Sequence, residues 1–166
     1  MLMEELMFVG PGPEYADELA SYRKEMLGAS SSMDGCGRLR ATDDMKKYIE
    51  DCRLGERWET VEPGKVPANQ YLCIRKSDGK LVGMLQIRHC LNDYLEKFAG
   101  HIGYSVRPSE RRKGYAKWML SKALPICHDT FGLDRVLITC HVENEGSRRT
   151  ILANGGVYEN TVHGPD

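Results

Sequence analysis

In "VRPSERRKGYAKWML", residues 106–120, an apolar run halts at Pro108, three cations follow (Arg111, Arg112 and Lys113), and from Gly114 the chain turns apolar again at helical spacing. The helical stripe is Ala116, Met119, Leu120, Ala123, Leu124 and Cys127, with Pro125 expected to kink or shorten its end. A strand that leads straight into a helix start presents backbone N–H groups with no acceptor inside the helix, and with the helix dipole these attract anions. Gly114 lets the backbone come close to a phosphate, Ala116 keeps the next turn small, and the cations add charge to the same spot. The spacing predicts a turn that binds phosphate, with room for more than one. An Arg-Arg-Lys run by itself is more often a solvated loop; the strand before it and the amphipathic helix after it favour the anion site. Neither G-x-x-x-x-G-K-[ST] nor G-x-G-x-x-G occurs, and "GPGPEY" at 10–15 has too many prolines to cradle phosphates through its amides.

Before this turn the chain reads as a short strand at 3–9, a helix over 13–27 with Pro13 in its first turn, and a small-residue loop. A second helix over 42–54 follows, with Thr42 as its cap. Period-two alternation over 69–89 predicts two strands around Ser77-Asp78-Gly79-Lys80, and "HIGYSVRP" at 101–108 predicts another. After the turn, "DRVLITCHV" at 134–142 predicts a central strand buried on both faces, "NEGSRRTILANGG" at 144–156 a short helix, and "VYENTV" at 157–162 a last strand. The fold class is mixed α/β, with an antiparallel front half and a parallel β-α-β crossover behind it.

The 166 residues suit one domain over 1–166, and a net charge of −1 argues against bulk nucleic-acid binding, so any anion site is local. No run approaches the roughly 18 apolar residues of a membrane span. The six cysteines fall mostly inside regular patterns and read as reduced thiols in a cytoplasm. Cys and His stand next to each other at 89–90, 127–128 and 140–141, a spacing that chelates poorly, so no metal is expected.

Arg111, Gly114 and Ala116, set after a strand and opening a helix, form an R-x-x-G-x-A pattern that resembles the acetyl-CoA pyrophosphate loop of the GNAT superfamily of N-acetyltransferases. Asn144, Ser147 and Gly155 resemble that family's Asn at the end of the fifth strand, Ser three residues on, and Gly closing the helix. "N-x-x-S-R-R" and "IGY" are similar to the branch that acetylates protein N-termini, and the run from Ile87 to Ala116 resembles a bacterial group of predicted acetyltransferases. The resemblance implies a sheet splayed between its fourth and fifth strands, with acetyl-CoA lying in the gap. Its pantetheine arm would pair with the backbone of Tyr104, Ser105 and Val106, and its pyrophosphate would sit on residues 111–116, Arg112, Lys113 and Tyr115 included. Asn144 and Ser147 would complete the cofactor site.

The acceptor implied is a primary amine of a small molecule or peptide, attacking directly in a ternary complex. The Tyr that many members carry seven residues after the Asn is Ile151 here, so the resemblance points to Ser147 as the acid. His101 and His89, at strand ends, are candidates for the base or for binding the substrate amine, because imidazole titrates near neutral pH. Arg88 and Asn92 belong to the same cluster and would orient a substrate carboxylate or a loop. Glu110 reads as a surface residue, and Trp58 as a wall of the acceptor pocket. The missing Tyr leaves a second reading open, a non-catalytic acyl-CoA-binding module or sensor. The family's seventh strand has no counterpart after residue 166, which would leave a sheet edge for a homodimer to cover.

Overall fold

Alternating side chains build the sheet on which the other elements pack. The structure is a computed structural model and describes residues 5–164. Strands β1 (Leu6–Val9), β2 (Ala68–Arg75), β3 (Lys80–Arg88) and β4 (Ile102–Val106) form one antiparallel sheet in the order β1-β2-β3-β4. The β2–β3 hairpin turns at the predicted Asp-Gly, with Gly79 at φ 73° and its N–H donating to Arg75 O at 2.8 Å. The register shifts between Cys73 and Ile74, so a bulge sits opposite them near Val82.

Helices cover both faces. On one, α1 (Ala16–Gly28) and α2 (Met45–Leu54) bury Leu19, Tyr22, Met26 and Tyr48 against Leu72, Ile74 and Met84. On the other, α3 (Tyr115–Asp129) buries Tyr115, Met119, Leu120, Ala123 and Cys127 against Cys73, Leu85, Ile87 and Ile102. This is the mixed α/β architecture expected, with its apolar stripes where the periodicity put them. All six cysteines are free thiols, and among the described residues no helix is long and apolar enough to cross a membrane.

Several local expectations need correction. Of the first strand, residues 6–9 are strand, and residues 1–4 lie outside the described region. Asp44, not Thr42, caps α2: its Oδ1 accepts from the Lys47 N–H at 3.2 Å, while Thr42 Oγ1 accepts from the Asp44 N–H. α3 runs through Pro125 to Asp129 instead of stopping there. Residues 134–142 form no ladder. They touch the residues just before β4 at a single antiparallel bridge, Gly100 to Ile138, and from Cys140 to Val142 they are exposed, so they edge the sheet rather than fill its centre. Their β-branched content reported strand propensity but not which strand they join. Residues 157–162 form no strand, and Val157 and Tyr158 are exposed. The helix expected near Asn144 is α4 (Glu145–Ala153).

Candidate active site

The turn from β4 to α3 is pinned from both sides. Arg107, almost wholly buried, donates to Glu25 Oε1 at 3.1 Å, Ser21 Oγ at 2.8 Å and Leu81 O at 3.0 Å. Glu25, on α1, also accepts from the Ser109 N–H and hydroxyl. On the hairpin side Glu110 accepts from Arg75 and from Lys113, with Lys80 Nζ 3.5 Å away.

Glu110 is 4% exposed, so it is an internal anchor and not the surface residue expected. Burial pushes its carboxyl pKa up, but the hydrogen bonds from Arg75 and Lys113 outweigh that and hold it at about 2. A depressed carboxylate contributes stability that is complete above the unfolded-state value near 4.3 and is lost as pH falls through the folded value. Acid titration of the wild type should therefore show stability declining between about pH 4.5 and 2. Glu110→Gln should flatten that segment, as followed by thermal melting at each pH.

Held this way, the loop makes two left-handed turns, at Arg112 (φ 64°) and Gly114 (φ 86°), and Gly114 stands at the start of α3. The first helical hydrogen bond runs from the Trp118 N–H to Gly114 O, so the N–H groups just ahead of it lie before the helix's own acceptors. The three cations do not act alike. Arg111 reaches back to Val106 O at 2.9 Å and Ser31 Oγ at 2.7 Å, Lys113 pairs with Glu110, and exposed Arg112 carries no side-chain hydrogen bond or ion pair among the described residues.

From this turn an open groove follows the outer edge of β4. Tyr104, Ser105 and Val106 border it on one side, and Thr139–Asn144 with the start of α4 border it on the other. β4 is the last strand of the sheet, so its outer backbone edge meets the groove. Asn144 caps α4, its Oδ1 accepting from the Ser147 N–H at 3.0 Å. Asn144→Ala should cost about 1 kcal/mol through the lost cap, read by chemical denaturation. Across the groove the Tyr104 hydroxyl meets Ser147 Oγ at 2.6 Å. Burial raises the Tyr104 pKa, and the Ser147 hydrogen bond offsets part of the rise. The Ser105 side chain points to the opposite face, to the Tyr22 hydroxyl at 2.8 Å and Cys36 Sγ at 3.4 Å.

At the other end of β4 the loop after α1 presses on the strand. Gly35 (φ 73°) packs so tightly that a Cβ there would stand 2.4 Å from Gly103 O, and Gln70 Nε2 donates to Gly35 O at 2.6 Å. This contact sets Asp34 at the groove, near Arg88. Arg88 Nη1 donates to Ala99 O and Gly100 O, and among the described residues no carboxylate lies within 4.0 Å of its guanidinium.

The two histidines are not brought together. His101 is buried, and its Nδ1 accepts from the Leu137 N–H at 3.0 Å. Burial and the nearby Arg88 lower its pKa. His89 turns away, its Nε2 2.7 Å from Asn69 Oδ1 and its ring stacked on Phe131, and burial lowers its pKa too. Asn92 caps the short π-helical turn Leu95–Ala99 by accepting from the Leu95 N–H. Trp58 is exposed and does not line the groove. Among the described residues no three His, Cys, Asp or Glu side chains gather as a metal site. Sequence reading missed Asp34, Gly35 and the Tyr104 hydroxyl. Only Gly35, inside a glycine-rich loop, left a local signal.

Residues 6–157 match the family described as the acetyltransferase (GNAT) domain. Comparison with curated protein sequences gives no match. Among solved structures, the ribosomal-protein-S5-alanine acetyltransferase of Vibrio fischeri is 16% identical with a TM-score of 0.67, over 93% of this chain and 81% of that one. Mycobacterium smegmatis RimJ in complex with CoA-disulfide is 19% identical with a TM-score of 0.62, over 89% and 68%. The microcin C7 self-immunity acetyltransferase MccE in complex with acetyl-CoA and AMP is 21% identical with a TM-score of 0.61, over 91% and 78%. At these identities the likeness establishes the shared fold.

Proposed function

The chain belongs to the GNAT acetyltransferase family and is an acyltransferase, and we propose that it moves the acetyl group of acetyl-CoA onto a primary amine of a small molecule or peptide, by direct attack in a ternary complex. The observation that carries this reading is the pair of left-handed turns at Arg112 and Gly114, which open the start of α3 onto a groove running along β4 to Ser147.

The residues fit the group. Amides at 114–117, ahead of the helix's own acceptors, suit a pyrophosphate, with Arg112, unpaired among the described residues, beside them and Arg111 bracing the loop. The edge of β4 at Tyr104, Ser105 and Val106 suits an extended arm that pairs as an added strand. Bound acetyl-CoA supplies an acyl group activated as a thioester. Ser147 donates a hydrogen bond to the departing sulfur.

The acceptor comes from the side of Asp34 and Arg88. A half-buried guanidinium whose hydrogen bonds go to carbonyls, with Asp34 nearby but, among the described residues, no carboxylate in ion-pair contact, suits an acceptor that carries a carboxylate. His101 Nδ1 is taken by the Leu137 N–H, and His89 stacks on Phe131 away from the groove, so neither is the base of choice. The amine proton is left to the open groove, whose rim holds Asp34.

Coenzyme A release from acetyl-CoA, followed with a thiol reagent over a panel of amines with and without a carboxylate, tests the reading. Faster release with carboxylate-bearing amines is the expected result. Tight coenzyme A binding with no acceleration by any amine would favour the acyl-CoA-binding module instead.

A further inference from the structure

We propose that Tyr104 is a positioning residue that aims the Ser147 hydroxyl proton into the groove, toward the coenzyme A sulfur. The inference rests on the acetyl-CoA reading of the groove. Resemblance points to Ser147 as a donor, but it gives the Tyr104 side chain no role.

Two hydroxyls and one carbonyl oxygen meet here. The Tyr104 hydroxyl stands 2.6 Å from Ser147 Oγ and donates to the Ser147 carbonyl oxygen at 3.3 Å. A carbonyl oxygen only accepts, so the phenolic proton can go to it or to Oγ; either hydroxyl can donate in the 2.6 Å contact, and we take the phenol as the donor there. Ser147 Oγ then receives a hydrogen bond and keeps its own hydrogen for another acceptor. Both side chains line the groove, so that hydrogen has the groove to point into.

Neither partner is free to wander. Ser147 sits in the first turn of α4, with its N–H held by Asn144 Oδ1. The Tyr104 ring packs against the cluster under α3. Burial keeps the phenol protonated across ordinary pH, so it remains a donor.

The chemistry needs such help. A serine hydroxyl is a weak acid, and a hydrogen bond received at its oxygen polarises the O–H it donates. In the transfer, a bond forms between the amine nitrogen and the carbonyl carbon, and the C–S bond breaks with its electron pair left on sulfur. Ser147 donates a hydrogen bond to that thiolate. The proton the thiolate finally takes is the one the amine releases to solvent, so Tyr104 and Ser147 end as they began.

A plain structural brace between β4 and α4 would use the same 2.6 Å contact, so the test must read the sulfur. Coenzyme A and desulfo-coenzyme A are titrated calorimetrically from pH 7 to 10 into wild type, Tyr104→Phe, Ser147→Ala and the double variant. If the pair stabilises the thiolate, the bound thiol is acidified by about one unit, and the affinity ratio of the two ligands rises about tenfold with pH in the wild type. Each single variant should hold that rise below about twofold, and the double variant should lose no more than either single one, because the two hydroxyls act as one unit. Tyr104→Phe keeping the full rise while Ser147→Ala loses it would overturn the proposal, and so would a flat ratio in the wild type. Failure of wild type to bind either ligand would instead remove the acetyl-CoA reading beneath it.

Discussion

Replacing Gly114 by glutamate is expected to weaken coenzyme A binding by about 100-fold, close to 2.7 kcal/mol, as read by calorimetry. Two effects combine at this position. Gly114 is left-handed at φ 86°, a conformation that costs a residue with a Cβ about 1–2 kcal/mol. The added carboxylate also stands at the helix start whose amides the pyrophosphate needs and competes for them, while repelling its charge. Gly114→Ala separates the two, since it pays the backbone cost without the charge. It should lower thermal stability slightly and weaken binding by less than about tenfold. Equal losses in both variants would mean that backbone shape, not anion binding, is what Gly114 supplies.

The second large effect concerns stability. Gly35→Ala should cost roughly 3 kcal/mol, because a left-handed residue and an overpacked contact fall on one position. Its Cβ would meet Gly103 O at 2.4 Å and the Tyr104 Cα at 2.6 Å, and both are backbone of β4, which cannot turn aside as a side chain can. For a chain of this size the melting temperature should fall by about 6–12 °C. The same variant should disturb the groove, since Gly35 holds Asp34 against the head of β4. A melting temperature within a degree of wild type would show that the loop does not rest on the strand as described.

Much of this site was legible before any coordinates. Gly114 between a Pro-stopped strand and an amphipathic helix announced both the turn and the start of α3, and residues 144–156 announced a short helix closed by glycine. The Asp78-Gly79 hairpin followed from turn chemistry. These signals are local, each complete within a few residues.

What stayed hidden depends on partners far apart in the chain. Glu110 looked like surface because Arg75, which neutralises it, is 35 residues away. Tyr104 and Ser147 are 43 apart. Arg111 and Lys113 read as ligand cations, yet Ser31 and Glu110 engage them. The apolar run at 134–142 showed strand propensity, but nothing in it revealed that it would meet the residues just before β4 at one bridge only.

Amide hydrogen exchange across residues 108–120, with and without coenzyme A, tests the central claim most directly. Main-chain nitrogens that grip the diphosphate must exchange more slowly when it is bound. The account predicts new protection at residues 114–117, with α1 and α2 unchanged. Coenzyme A bound at saturation with no added protection at those amides would contradict it.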